Sequence, residues 1–142
     1  MLDCGLDLER VPCRGGAYVL VLQLRGPTRR VRTGALGVLA FRPGFYCYVG
    51  SAKSGLRSRL ARHLRKGGKR KHWHVDYLRA VAQPVCLLVA EPGVGECALG
   101  RRVAALSGDC VAGFGASDCR CRSHLHYFAR DPVPYMKKGR ID

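Results

Sequence analysis

The chain has 142 residues, of which 47% are apolar, and its 25 Lys+Arg against 10 Asp+Glu give a formal charge of +15. That length holds one domain with a real core and leaves no room for two, and no run approaches the roughly 20 apolar residues needed to cross a bilayer, so a membrane protein is not expected. A field of this sign attracts polyanions, which makes nucleic acid the first partner to expect and its binding salt-dependent.

Residues 1–14 carry three acidic residues and no continuous apolar region, unlike a secretory signal. The expected location is cytoplasmic, where cysteines serve as reduced thiols, metal ligands or core fillers rather than a disulfide framework. Cys47, Cys86 and Cys97 stand in apolar contexts and read as packing residues. The chain divides into an N-terminal arm (1–14), a domain (15–130) and a basic tail (131–142), in which Lys137, Lys138 and Arg140 would add phosphate affinity.

From Ala17 to Leu24 the residues are almost continuously apolar, so a central strand covered on both faces is expected, with Tyr18 near its start. Segments 28–33 and 35–41 follow as two shorter antiparallel strands joined by tight turns. Phe45–Gly50 then alternates aromatic residues and passes through Ser51-Ala52 into a Leu/Arg pattern, a strand that turns sharply into a helix. The period of two puts Tyr46, Tyr48 and Gly50 on one face and Phe45, Cys47 and Val49 on the other. In the helix, Leu56, Leu60 and Leu64 form the buried stripe, with Arg59 and His63 stacked at its border.

Segment 65–71 is a glycine-broken basic loop suited to clamping a phosphate backbone. The spacing predicts a helix over 72–81 with Trp73, Tyr77 and Val81 on one side; His72 and His74, two apart, diverge on a helix and read as structural or surface groups rather than metal ligands. Residues 84–90 form another buried strand and 96–106 a helix. Glu96 sits in that helix's first turn, where the macrodipole favours a carboxylate, yet it shares a stripe with Leu99, Gly100 and Val103 and so points inward. It is one of only three glutamates, which makes it the best ligand for a divalent cation. Gly113–Asp118 is a glycine-rich loop, and 120–128 reads as a last strand. Cys119, Cys121, His124 and His126 are zinc-type residues at a spacing poor for a zinc site.

Gly16-Ala17-Tyr18, Tyr48-Val49-Gly50, Arg59, His63 and Glu96, in that order, resemble the GIY-YIG nuclease pattern. Tyr48–Ala52, the segment from Lys71 to Leu78, Glu96–Leu99 and Gly113–Cys119 look like its Uri-type branch, over about residues 15–128. The resemblance implies an α+β fold, an α/β/α sandwich with a small mixed, largely antiparallel sheet flanked by helices. It implies a metal-dependent endonuclease cutting DNA by a one-metal mechanism, in repair or processing, with RNA open as an alternative substrate and a protein partner supplying specificity.

By that resemblance, Glu96 holds Mg²⁺ or Mn²⁺, Arg59 stabilises phosphoryl charge, and Tyr48 orients or deprotonates water beside Tyr18. His63 would be an alternative base or proton donor. A phenol of ordinary pKa near 10 would need depression by Arg59 and the metal to act as base. Ser51, Lys53, Arg62, Lys66, Lys69, Arg70, Lys71 and Ser117 would bind substrate. The family pattern has a late Asn where this chain contains none, so Ser117 or Asp118 would stand in for it. The rival readings are a non-catalytic nucleic-acid-binding module or repair-complex adaptor, and a zinc-stabilised interaction domain.

Overall fold

The computed structural model describes residues 1–68, 70–71 and 73–137. Lys69, His72 and residues 138–142, including the predicted tail contacts Lys138 and Arg140, lie outside the described residues, as does the side chain of Lys137.

The chain runs β1 (Leu2–Gly5), β2 (Gly16–Leu24), β3 (Arg29–Arg32), β4 (Val38–Phe41), β5 (Gly44–Ala52), α1 (Leu56–Leu64), α2 (His74–Arg79), β6 (Gln83–Val89), α3 (Glu96–Leu106), β7 (Leu125–Phe128) and α4 (Val133–Lys137). Five strands form one sheet in the order β1-β6-β2-β5-β7, and every pairing in it is antiparallel. This is an α+β sandwich, with β2 in the centre as its apolar run requires.

Period-two alternation along β2 and β5 sends the two sets of side chains into separate cores. Tyr18, Leu20 and Leu22 of β2, with Tyr46 and Tyr48 of β5, pack on one side against Leu56 and Leu60 of α1 and Leu78 of α2. On the other side, Val19, Val21, Cys47 and Val49 meet Leu99 and Val103 of α3 and Met136 of α4. Each fully buried Leu or Val contributes about 1.5–3 kcal/mol, so both layers hold the sheet. Continuous apolar strands are commonest in parallel sheets; here antiparallel strands carry the same pattern because helices cover both faces.

The two antiparallel strands expected after β2 are present at 29–32 and 38–41, as a two-stranded ribbon separate from the main sheet. Three expectations are corrected. The N-terminal arm is built into the sheet: β1 pairs with β6, Leu2 opposite Val89, and Cys4 and Val11 are buried. The last strand is limited to Leu125–Phe128, because residues 120–124 turn away to form a side-chain cluster described below. Part of the tail folds, since α4 buries Met136 against the sheet.

The ribbon insertion leaves the two tyrosine segments paired. In the β2–β5 register Tyr18 faces Gly50 and Leu20 faces Tyr48. The two tyrosines thus occupy one face of adjacent strands, and α1 leaves the end of β5 beside them.

Candidate functional site

A cavity of about 690 Å³ opens where β5 turns into α1. Tyr18, Tyr48, Arg59 and Glu96 all line it, with Ser51, Lys53 and Arg62 around them. Residues far apart in sequence meet here because β2 and β5 are neighbours, α1 starts at the strand end, and α3 packs on the reverse face with its first turn at the same sheet end.

Ser51 joins the parts. Its carbonyl accepts a 2.8 Å hydrogen bond from the Arg59 guanidinium, and its hydroxyl donates at 2.8 Å to Glu96 Oε1. The other carboxylate oxygen, Oε2, lies 2.7 Å from His124 Nδ1. Burial works against ionisation of Glu96, but His124, Ser51 and the Arg59 charge outweigh it and hold the carboxyl below its usual range. Glu96 is therefore an anion at neutral pH, partly exposed to the cavity.

Trp73 forms a wall of the cavity, with Arg59 at 4.5 Å and Arg62 at 4.4 Å from its ring centroid. Arg62 also makes a two-pronged ion pair with buried Asp76, at 2.8 and 3.0 Å, and Asp76 accepts from the Trp73 backbone N–H. Arg62 thus spends much of its donor set inside the protein, positioning Trp73, and is a weaker substrate contact than its sequence position suggests.

His63 does not line the cavity. It is buried behind Tyr18, whose hydroxyl lies 2.7 Å from His63 Nε2. The expectation that His63 exchanges a proton directly with a substrate is thereby corrected: His63 lies behind the lining, against Tyr18, Tyr48 and Trp73. Arg59 by itself does not depress the Tyr48 pKa. Burial pushes the hydroxyls of both Tyr48 and Tyr18 well above the usual phenol range, and Arg59 only partly opposes it. Tyr18→Phe is expected to cost about 1–2 kcal/mol by deleting the buried bond to His63, read as a lowered denaturant midpoint; an unchanged midpoint would contradict that bond.

Lys66, Arg70 and Lys71 are exposed on the segment between α1 and α2 and do not line the cavity. Lys69 is outside the described residues. Ser117 is exposed beside the cavity, whereas its neighbour Asp118 lines it. Gly115 of the same loop donates its N–H to His74 Nδ1 at 2.9 Å, which accounts for His74 structurally.

A family model matches residues 17–139, and its description is a domain of unknown function, DUF123. The chain belongs to the DUF123 family. No curated protein and no solved structure matches it. No helix among the described residues of this DUF123 chain is long and apolar enough to cross a membrane.

A second constellation in the DUF123 chain lies directly behind Glu96. Cys97, Cys119, Cys121 and His124 place one ligand atom each within 4.8 Å of one another, a group that could hold a metal ion. Two sequence expectations change as a result. Cys97 is not simply a packing residue, and the fourth member of the set is Cys97 rather than His126, which is buried within β7 opposite Cys47. The eight cysteines are all free thiols.

Trp73 and Cys97 are the site residues that sequence reasoning missed. Trp73 precedes α2 and turns into the cavity instead of lying along the helix face assigned to it. Cys97 gave one usable signal, its adjacency to Glu96.

Proposed function

We propose that this protein is a divalent-metal-dependent endonuclease of the GIY-YIG type, Uri-like branch, hydrolysing DNA phosphodiester bonds. One observation carries the reading: Tyr18, Tyr48, Arg59 and Glu96 converge on one open cavity in a chain of net charge +15.

The donors in the cavity fit a hard cation. Glu96 is ionised, and Asp118 and the Ser51 hydroxyl share its cavity, an all-oxygen set of the kind that Mg²⁺ or Mn²⁺ takes. Glu96 would hold the ion, which supplies Lewis-acid stabilisation of phosphoryl oxygen charge. Arg59 presents its remaining guanidinium donors to a phosphate, held in place by the Ser51 carbonyl and the Trp73 ring. Tyr48, whose hydroxyl is held above the usual phenol range by burial, positions water by hydrogen bonding. Tyr18, fixed by His63, shapes the wall beside it. Lys53 at the rim and the exposed Lys66, Arg70 and Lys71 contact the phosphate backbone without reading sequence.

The rival, a non-catalytic nucleic-acid-binding module, has one observation in its favour: Ser51 and His124 already engage both Glu96 oxygens. The test is nicking of supercoiled plasmid, and of labelled branched and single-stranded DNA, with Mg²⁺ or Mn²⁺ omitted and then restored. Omission is preferred to a chelator because the Cys–His cluster is a separate metal candidate. Cleavage that follows the added ion, with binding that weakens as salt rises, is the expected result. Tight binding without cleavage of any substrate would select the binding module.

A further inference from the structure

We propose that Cys97, Cys119, Cys121 and His124 hold one structural zinc ion, with Glu96 as the carboxylate that orients the histidine ligand. The proposal stands apart from the nuclease reading, since it needs neither nucleic acid nor catalysis.

The geometry of the four groups is close to what zinc requires. With Zn–S near 2.3 Å and Zn–N near 2.0–2.1 Å, a tetrahedral site separates sulfur from nitrogen by about 3.5 Å and sulfur from sulfur by about 3.8 Å. His124 Nε2 lies 3.5 Å from Cys119 Sγ and 3.9 Å from Cys97 Sγ, and no pair in the set is farther apart than 4.8 Å. Small side-chain rotations therefore bring the set onto the tetrahedron. Three thiolates and one imidazole are a borderline-soft donor set that selects zinc over the hard cations suited to the cavity next door.

The histidine carries the strongest argument. Its two ring nitrogens face different groups: Nε2 the sulfurs, and Nδ1 the Glu96 carboxylate, whose Oε2 is 2.7 Å away but off the line of a hydrogen bond. Metal-ligating histidines characteristically give the second ring nitrogen to a carboxylate, and a small rotation of the ring or of the carboxylate would complete that bond here. His124 is buried to 1% exposure, and its backbone is held on both sides, by its N–H to the Phe114 carbonyl and its carbonyl to the Val49 N–H. The ligand is thus held in place by the fold itself.

The fold also supplies a reason for an ion. Between α3 and β7 the chain forms turns but no helix or strand, apart from one isolated bridge of Cys110 to His126. Irregular segments of that length inside a compact domain are uncommon unless functional. This one delivers Phe114 to the core and Asp118 to the cavity. A zinc joining Cys119, Cys121 and His124 to Cys97 in the first turn of α3 would tie the segment to the helix that carries Glu96. Cys97 and Cys121 open onto a cleft of about 510 Å³ that also exposes Arg101, Arg120 and Arg122. The cleft offers a path for loading, and the arginines balance the net negative charge of a three-thiolate zinc centre.

The deciding experiment is elemental analysis of the full, untagged chain purified without chelator, followed by replacement of the metal with Co²⁺. One zinc per chain, and a cobalt spectrum with thiolate charge-transfer bands and tetrahedral d–d bands, is the expected result. Cys97→Ser and Cys119→Ser should each lose zinc under conditions where His126→Ala retains it. Glu96→Gln should keep the stoichiometry but bind zinc about 10–100-fold more weakly. Absence of zinc, iron in its place, a disulfide among these cysteines, or zinc loss in His126→Ala equal to that in Cys97→Ser would overturn the assignment. If the cysteine variants do not fold, wild-type metal content and the cobalt spectrum decide alone. A chain that holds zinc and cuts no DNA would count against the nuclease reading only.

Discussion

Arg59→Ala is expected to lower the rate of plasmid nicking by about 10²–10³-fold, the loss found when one preorganised charge-stabilising donor is removed from an active site. Arg59 is held by the Ser51 carbonyl at 2.8 Å and lies over Trp73, so its position is set before any substrate arrives. Arg59→Lys should recover only part of the rate, because a lysine keeps the charge but not the planar fork. Affinity for DNA should fall much less, since Lys53, Lys66, Arg70 and Lys71 remain. The measurement is single-turnover nicking with saturating protein, alongside binding at the same salt. A rate within a factor of three of wild type in Arg59→Ala would remove Arg59 from the chemistry. A parallel loss of rate and binding would make it an affinity contact instead.

Much of the fold was legible because its signals were periodic. Apolar residues along 17–24 and alternation along 45–50 specified a central strand and its partner. The leucines of α1 fell every four residues, and α3 occupies the predicted span, Glu96–Leu106. The convergence of Tyr18, Tyr48, Arg59 and Glu96 was legible only as an ordered motif set, since spacing says nothing about which strands pair across an insertion of the length of β3 and β4.

What stayed hidden was tertiary. His63 and Arg59 share a helix face by spacing, yet one is buried against Tyr18 and the other reaches the Ser51 carbonyl at the cavity, a difference made by their tertiary partners. Cys97 reads as a core filler from its apolar neighbours. Its role depends on a turn segment folding back across the first turn of α3, which leaves no local pattern. The effect of Arg59 on Tyr48 was hidden for a related reason: counting charges favours depression, whereas burial, invisible in sequence, outweighs Arg59 among the protein groups.

Gly50→Ala is expected to destabilise the protein by about 1–3 kcal/mol, the usual cost of forcing a methyl into a packed core. Gly50 faces Tyr18 across the β2–β5 ladder, and a Cβ built there would stand 2.4 Å from the Tyr18 hydroxyl and 2.6 Å from its ring carbon Cζ. Tyr18 has little freedom to retreat. Its side chain is 1% exposed, and its hydroxyl is held against His63 at 2.7 Å. The substitution should therefore lower the denaturant midpoint and displace the Tyr18–His63 pair together. Pairing it with Tyr18→Phe tests the mechanism. That change deletes the atom in the closest clash, so the double variant should lie above the sum of the two single losses, a coupling expected of residues in contact. Gly108→Ala is the control, because nothing lies within 4 Å of a Cβ placed there, and such a change at a compatible backbone stabilises slightly by restricting the unfolded chain. Strict additivity of Gly50→Ala and Tyr18→Phe would mean that the glycine is not there to admit the tyrosine, and the close β2–β5 packing that seats Tyr18 at the cavity would need another explanation.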